Sequence, residues 1–102
     1  MATAFVQEFA IVDGDTSTTN YDAVAEELGR TAPEALIVHT AGFDHDRGVF
    51  RIVDVWESRE AGQRFMDEKL MPIIERMASE RGSEDFRPPE AESWYELHDV
   101  IR

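Results

Sequence analysis

The sequence predicts an α+β fold with its elements in the order βαββαβ, and three observations carry that expectation. Four short segments rich in Val, Ile, Phe, Trp and Tyr are separated by clusters of Gly, Pro, Asp and Ser. Amphipathic helical stretches fall between the first and second of these segments and between the third and fourth. The second and third segments are joined only by a short polar connection, as in a hairpin.

Ala4 to Val12 is the first apolar run and ends at the turn signal Asp13-Gly14-Asp15. Ser17, Thr18, Thr19 and Asn20 offer N-caps to a first helix, in which Tyr21, Val24, Ala25 and Leu28 recur at helical spacing before Gly29. Ala35 to Phe43 and Val49 to Trp56 are the next two strands, with Asp44-His45-Asp46-Arg47-Gly48 expected as a five-residue loop between them. Ser58 then caps a longer helix with Glu60 in its first turn. Its apolar stripe is Ala61, Phe65, Leu70, Ile73, Ile74 and Met77. Pro72 lacks an amide donor and crowds the preceding turn, so a kink or break is expected near Met71. Gly82 to Glu92 reads as an irregular connection, and Ser93 to Ile101 as the last strand.

Two right-handed helical crossovers and one hairpin most simply give a four-stranded antiparallel sheet with both helices on one face, the ferredoxin-like arrangement. The opposite face is then left bare. An apolar bare sheet is a large exposed patch, so a homodimer is expected to cover it.

The chain has 102 residues, which suits one domain spanning 1–102. It carries 22 acidic against 10 Lys and Arg residues, a field that repels phosphate backbones and anionic lipid. Arg76, Arg81 and Arg87 are interrupted by Glu80, Glu84 and Asp85, so no basic stripe forms and no nucleic-acid partner is expected. No apolar run approaches the length needed to cross a bilayer, and no membrane partner is expected; the default location is cytoplasmic. The absence of Cys excludes disulfides, thiolate nucleophiles and cysteine-ligated metals.

The segment Val55-Trp56-Glu57-Ser58-Arg59-Glu60-Ala61, leading from the third strand into the second helix, together with the Leu70-Met71-Pro72 break, resembles the antibiotic biosynthesis monooxygenase-like members of the dimeric α/β barrel superfamily. The resemblance implies two ferredoxin-like protomers whose sheets face each other, each with a pocket between its sheet and its helices. Members include cofactor-free oxygenases of polyketide-like aromatics, haem-degrading enzymes, isomerases and decarboxylases, so the resemblance implies a small apolar or aromatic ligand, with monooxygenase-like or isomerase-like chemistry among the possibilities and no one reaction selected by the fold. Some members pair a tryptophan on the third strand with a histidine on the second helix. Trp56 matches the tryptophan, but Phe65 and Met66 stand where the histidine is expected, which argues against haem ligation and against that style of oxygenase chemistry; no cofactor is assigned.

Strand alternation puts Phe50, Ile52, Asp54 and Trp56 on one face, which the resemblance turns toward the helices. Asp54 would then be a carboxylate among apolar neighbours, suited to general acid or base work or to a structural hydrogen bond. Simple pairing across a five-residue loop sets His39 beside Arg51 and Val53, on the dimer face, where it serves as an interface residue or a proton carrier. His98 alternates with Trp94 and Glu96 on the last strand and is a further candidate for proton transfer. Phe9, Phe50, Trp56, Phe65 and Met66 would line a ligand pocket or fill an ordinary core. The three histidines lack metal-ligand spacing, and Asp44-His45-Asp46 are adjacent loop residues that seldom converge, so no metal site is assigned. No serine sits in a glycine-flanked elbow, and no Gly-rich phosphate loop occurs. Two functions follow: a cofactor-free enzyme using Asp54 or a histidine, or a non-catalytic homodimeric binding module.

Overall fold

The computed structural model describes residues 1–82 and 86–101. Its elements are β1 (Thr3–Ala10), α1 (Thr19–Glu27), β2 (Leu36–Asp44), β3 (Val49–Trp56), α2 (Arg59–Phe65), a π-helical turn (Met66–Leu70), α3 (Met71–Arg81) and β4 (Ala91–Glu96). The strands form a single antiparallel sheet in the order β2-β3-β1-β4. This is the ferredoxin-like βαββαβ fold.

Local chemistry accounts for the element ends. Ser58, in extended conformation, accepts the Ala61 amide at 3.1 Å and caps α2. At the other end of α1, Gly29 takes φ +79°; its amide bonds Glu26 O and the next amide bonds Ala25 O, a Schellman closure that a left-handed glycine makes without steric cost. Thr18 stands at the N-cap of α1, but its hydroxyl bonds the Asp22 carboxylate at 2.8 Å and leaves the backbone amides alone.

Pro72 does not break the helix. The turn before it widens to π geometry, with the Met71 amide bonded five residues back to Met66 O, so α2 and α3 remain one continuous helix. The widened turn sits where the proline ring would meet the preceding carbonyl, and it ends at Met71, where the irregularity is expected. The last strand is also shorter than expected, since it ends at Glu96 and its pairing with the β1 side continues only through one further bond, from the Leu97 amide to Ala2 O at 2.9 Å. It begins at Ala91, inside the stretch expected to be irregular; Ser83, Glu84 and Asp85 of that stretch lie outside the described residues.

The helices cover the sheet face that carries Phe5, Asp54, Trp56 and Trp94. Trp56 packs against Phe65 at 5.3 Å between centroids, and Phe5 stacks on Trp94 at 4.0 Å. Gly62 of α2 lies against both tryptophans, so close that a Cβ there would stand 2.8 Å from the Trp56 ring. This half of the interface is solid: Trp56 is 2% exposed.

The opposite face holds Ala4, Val6, Val38, Val53, Val55 and Tyr95, with Val38 and Tyr95 about half exposed. At the hairpin end of this face Arg51 binds Glu8 at 2.6 Å and Asp44 at 3.0 Å, and Arg47 reaches Glu8 at 3.7 Å. The amide of Arg47 and the Arg51 guanidinium hold the Asp44 carboxyl below the usual carboxylate range. No helix among the described residues is long and apolar enough to cross a membrane.

Candidate functional site: an Asp-His-Tyr relay across three elements

The register of the hairpin decides which residues meet. Asp44 pairs with Val49, so the connection is His45 to Gly48, one residue shorter than expected. Every later pair therefore shifts by one, and a one-residue slip moves a side chain to the other face. His39 consequently pairs with Asp54, not with Val53, and faces the helices instead of the bare sheet face. A bulge at Ile37, between the Leu36 and Val38 pairings, then resets the strand before it leaves the sheet.

On the helix-covered face His39 Nδ1 and an Asp54 carboxylate oxygen form a short hydrogen bond. The remaining ring nitrogen, Nε2, lies 2.6 Å from the hydroxyl of Tyr21, which reaches down from the first turn of α1. The two rings are nearly coplanar in orientation, 4° apart, and Tyr21 also meets the edge of Phe50 at 5.5 Å. Three elements, β3, β2 and α1, thus contribute one polar chain.

Burial grades along it. The Asp54 side chain is 14% exposed and that of His39 is 39% exposed. The hydrogen bond to Asp54 raises the pKa of His39; desolvation opposes that rise, and the Asp54 charge adds to it. Tyr21 is also pushed upward, first by burial and then by the negative charges of Asp54 and Asp22, with Arg30 opposing. Tyr21 is therefore held as a neutral hydroxyl. With an acceptor carboxylate on Nδ1, the neutral imidazole carries its proton there and presents a bare Nε2 to the hydroxyl. The chain has the parts of an oriented general base.

Along β3 this relay separates two environments. Toward Trp56 the interior is packed, and the Trp56 Nε1–H is buried without a hydrogen-bond partner among the described residues. Toward the hairpin, Phe9, Phe43, Phe50 and Ile52 are only half buried, although Phe43 and Phe50 lie 4.9 Å apart and Phe9 pairs with Phe50. Two depressions, of about 260 and 290 Å3, lie beside β2 around Arg51 and beside β4 around Arg59; neither is lined by Tyr21, His39 or Asp54.

Of the residues singled out in the sequence, Asp54 and His39 come together, Phe50 and Phe9 flank them, and Trp56 and Phe65 form the packed end. Met66 is half buried in the π turn. His98 does not join them: it is exposed beyond the end of β4, at the sheet edge opposite β2. Its expected alternation with Trp94 and Glu96 fails because the strand has already ended. From the sequence, Tyr21 stands out only as part of an apolar helical stripe. The signal that could have found it is chemical: a tyrosine on the inner face of a helix needs a partner for its hydroxyl. Among the described residues, no group of three or more His, Asp or Glu could hold a metal ion.

No family model matches this chain, and no curated protein matches it. Solved structures do. A putative antibiotic biosynthesis monooxygenase from Chloroflexus aurantiacus J-10-fl superimposes with a TM-score of 0.66 at 13% identity, covering 100% of this chain and 98% of that one. Rv0793 from Mycobacterium tuberculosis gives 0.67 at 14% identity, covering 100% of both chains. SnoaB, a cofactor-independent oxygenase from Streptomyces nogalater, gives 0.60 at 13% identity, covering 98% of this chain and 96% of that one. The chain therefore has the fold of the antibiotic biosynthesis monooxygenase-like, ferredoxin-fold proteins.

Proposed function

We propose that this protein binds a small apolar or aromatic molecule and moves a proton on it at His39, without a cofactor, as one half of a homodimer. The observation that carries the reading is the Asp54–His39–Tyr21 chain, which presents an oriented imidazole beside a half-buried aromatic surface. Neutral His39 takes a proton from an acidic C–H or O–H of the ligand at Nε2, and Asp54 stabilises the imidazolium that forms. Returning that proton to a different atom is an isomerisation; leaving the electron pair on the ligand, for attack on dioxygen, is the first step of a cofactor-free oxygenation. The likeness in fold to SnoaB, a cofactor-independent oxygenase, supports the oxygenation branch of this reading. The apolar outer sheet face, with Val38 and Tyr95 half exposed, supports pairing of two copies.

A second reading, a non-catalytic homodimeric binding module, draws on the solid packing of Trp56, Phe65 and Gly62 and on the closed state of the relay. One experiment separates the two. A panel of aromatic ketones with acidic C–H bonds is incubated with the protein in D2O, and deuterium uptake is followed by NMR. Uptake above the buffer rate that disappears in His39→Ala supports the proton-transfer reading. Binding of panel members without any exchange supports the module.

A further inference from the structure

Building on the proton-transfer reading, we propose that Tyr21 is a latch: it holds α1 closed over His39, and α1 must lift for any ligand to reach Nε2. The position of the hydroxyl makes the first point. Asp54 occupies Nδ1 and Tyr21 occupies Nε2, so both nitrogens of His39 are engaged within the chain, and neither of the two depressions opens onto them. A ligand that exchanges a proton with His39 has to take the place of Tyr21.

The second point is how α1 is attached. None of its residues is buried, and Val24, Ala25 and Leu28 on its inner side are only half covered. Its ion pair to α3, Glu27 with Arg76 at 2.8 Å, joins two exposed side chains and contributes little. The sheet beneath remains half open at Phe9, Phe43, Phe50 and Ile52. Against so few apolar contacts, the hydrogen bond from Tyr21 to His39 and its ring contact with Phe50 are substantial.

The third point is the backbone on either side. The chain approaches α1 through Asp13 and Gly14, with φ of 54° and 71°, and leaves through Gly29 and Arg30, with φ of 79° and 53°. Each pair contains a glycine with nothing packed within 4 Å of where a side chain would stand. Permissive positions at element ends are where hinge motions concentrate their φ/ψ change. Lifting α1 at these two points would uncover an apolar aromatic floor with His39 at its edge.

The test uses diethyl pyrocarbonate, which acylates neutral imidazole, with modification at each histidine followed by peptide mass mapping and amide exchange of α1 followed in parallel on the full chain. In the wild type His39 is expected to react at least about fivefold more slowly than the exposed His45 and His98, the protection one hydrogen bond can supply. In Tyr21→Ala it joins the fast class, and the α1 amides exchange faster by a similar factor. Tyr21→Phe, which keeps the ring and loses only the hydroxyl, is expected to lie between and keeps the test open should Tyr21→Ala fail to fold. Equal reactivity of all three histidines in the wild type overturns the latch. So does a Tyr21 variant that frees His39 while α1 exchange stays unchanged, since Tyr21 would then be a cap without hold on the helix. The proton-transfer reading fails separately: Asp54→Asn leaving the pH profile of His39 acylation unshifted would remove it whatever α1 does.

Discussion

Replacing Asp54 with Asn keeps the shape of the side chain and removes its charge. In the wild type the His39 imidazolium bonds a carboxylate that is 14% exposed, while the imidazole itself is 39% exposed. A charge-assisted hydrogen bond of this kind contributes roughly 1.5 to 3 kcal/mol when buried, and the exposure of His39 reduces that to about 1 kcal/mol. For a chain of this size that corresponds to a fall in Tm of about 5 °C. The pH dependence is the sharper signature. The folded pKa of His39 is raised above its ordinary 6.5, so the folded state binds the proton more tightly than the unfolded chain. The resulting stability is fully present below about pH 6.5 and is lost as pH rises through the folded value. In Asp54→Asn that pH-dependent share disappears, and the His39 titration, followed by NMR of the ring protons, moves downward. A variant whose His39 titrates as in the wild type would refute the pairing of Asp54 with His39 as the source of the shift.

Three further outcomes are expected. Gly62→Ala gains about 1 kcal/mol of helix propensity but forces a Cβ to 2.8 and 2.9 Å from the buried Trp56 ring, and overpacking of about 1 to 3 kcal/mol should win; urea titration showing a stabilised variant would contradict the close approach of α2 to the sheet. Ser58→Ala removes the acceptor of the Ala61 amide and should lower stability by about 1 kcal/mol in the same assay. Val53→Glu places a charge in the middle of the bare sheet face and should convert a dimer to a monomer in light scattering, whereas an unchanged mass would show that this face is not where two copies meet.

Much of the architecture was legible because it rests on local periodicity. Alternation within β3 puts Phe50, Ile52, Asp54 and Trp56 on one face whatever the strand pairs with, and the helical spacing of Tyr21, Val24, Ala25 and Leu28 marks the inner side of α1 without knowledge of the sheet. The acidic balance and the Ser58 cap belong to the same class of information: each depends on composition or on residues three apart. The candidate site is different in kind, since its three residues come from positions 21, 39 and 54. Whether His39 meets Asp54 depends on one residue of hairpin loop length, which flips the whole of β2 between faces and carries almost no signal in a polar connection. Whether Tyr21 meets His39 depends on where α1 settles on the sheet, a matter of long-range packing and not of propensity. Pro72 shows the same limit on a smaller scale, because a proline can be accommodated by breaking a helix or by widening a turn. Here the continuous packing of α2 and α3 along one helix accompanies the π turn. Local patterning determines which face a residue can occupy on its own element, and only the tertiary structure decides which faces are brought together.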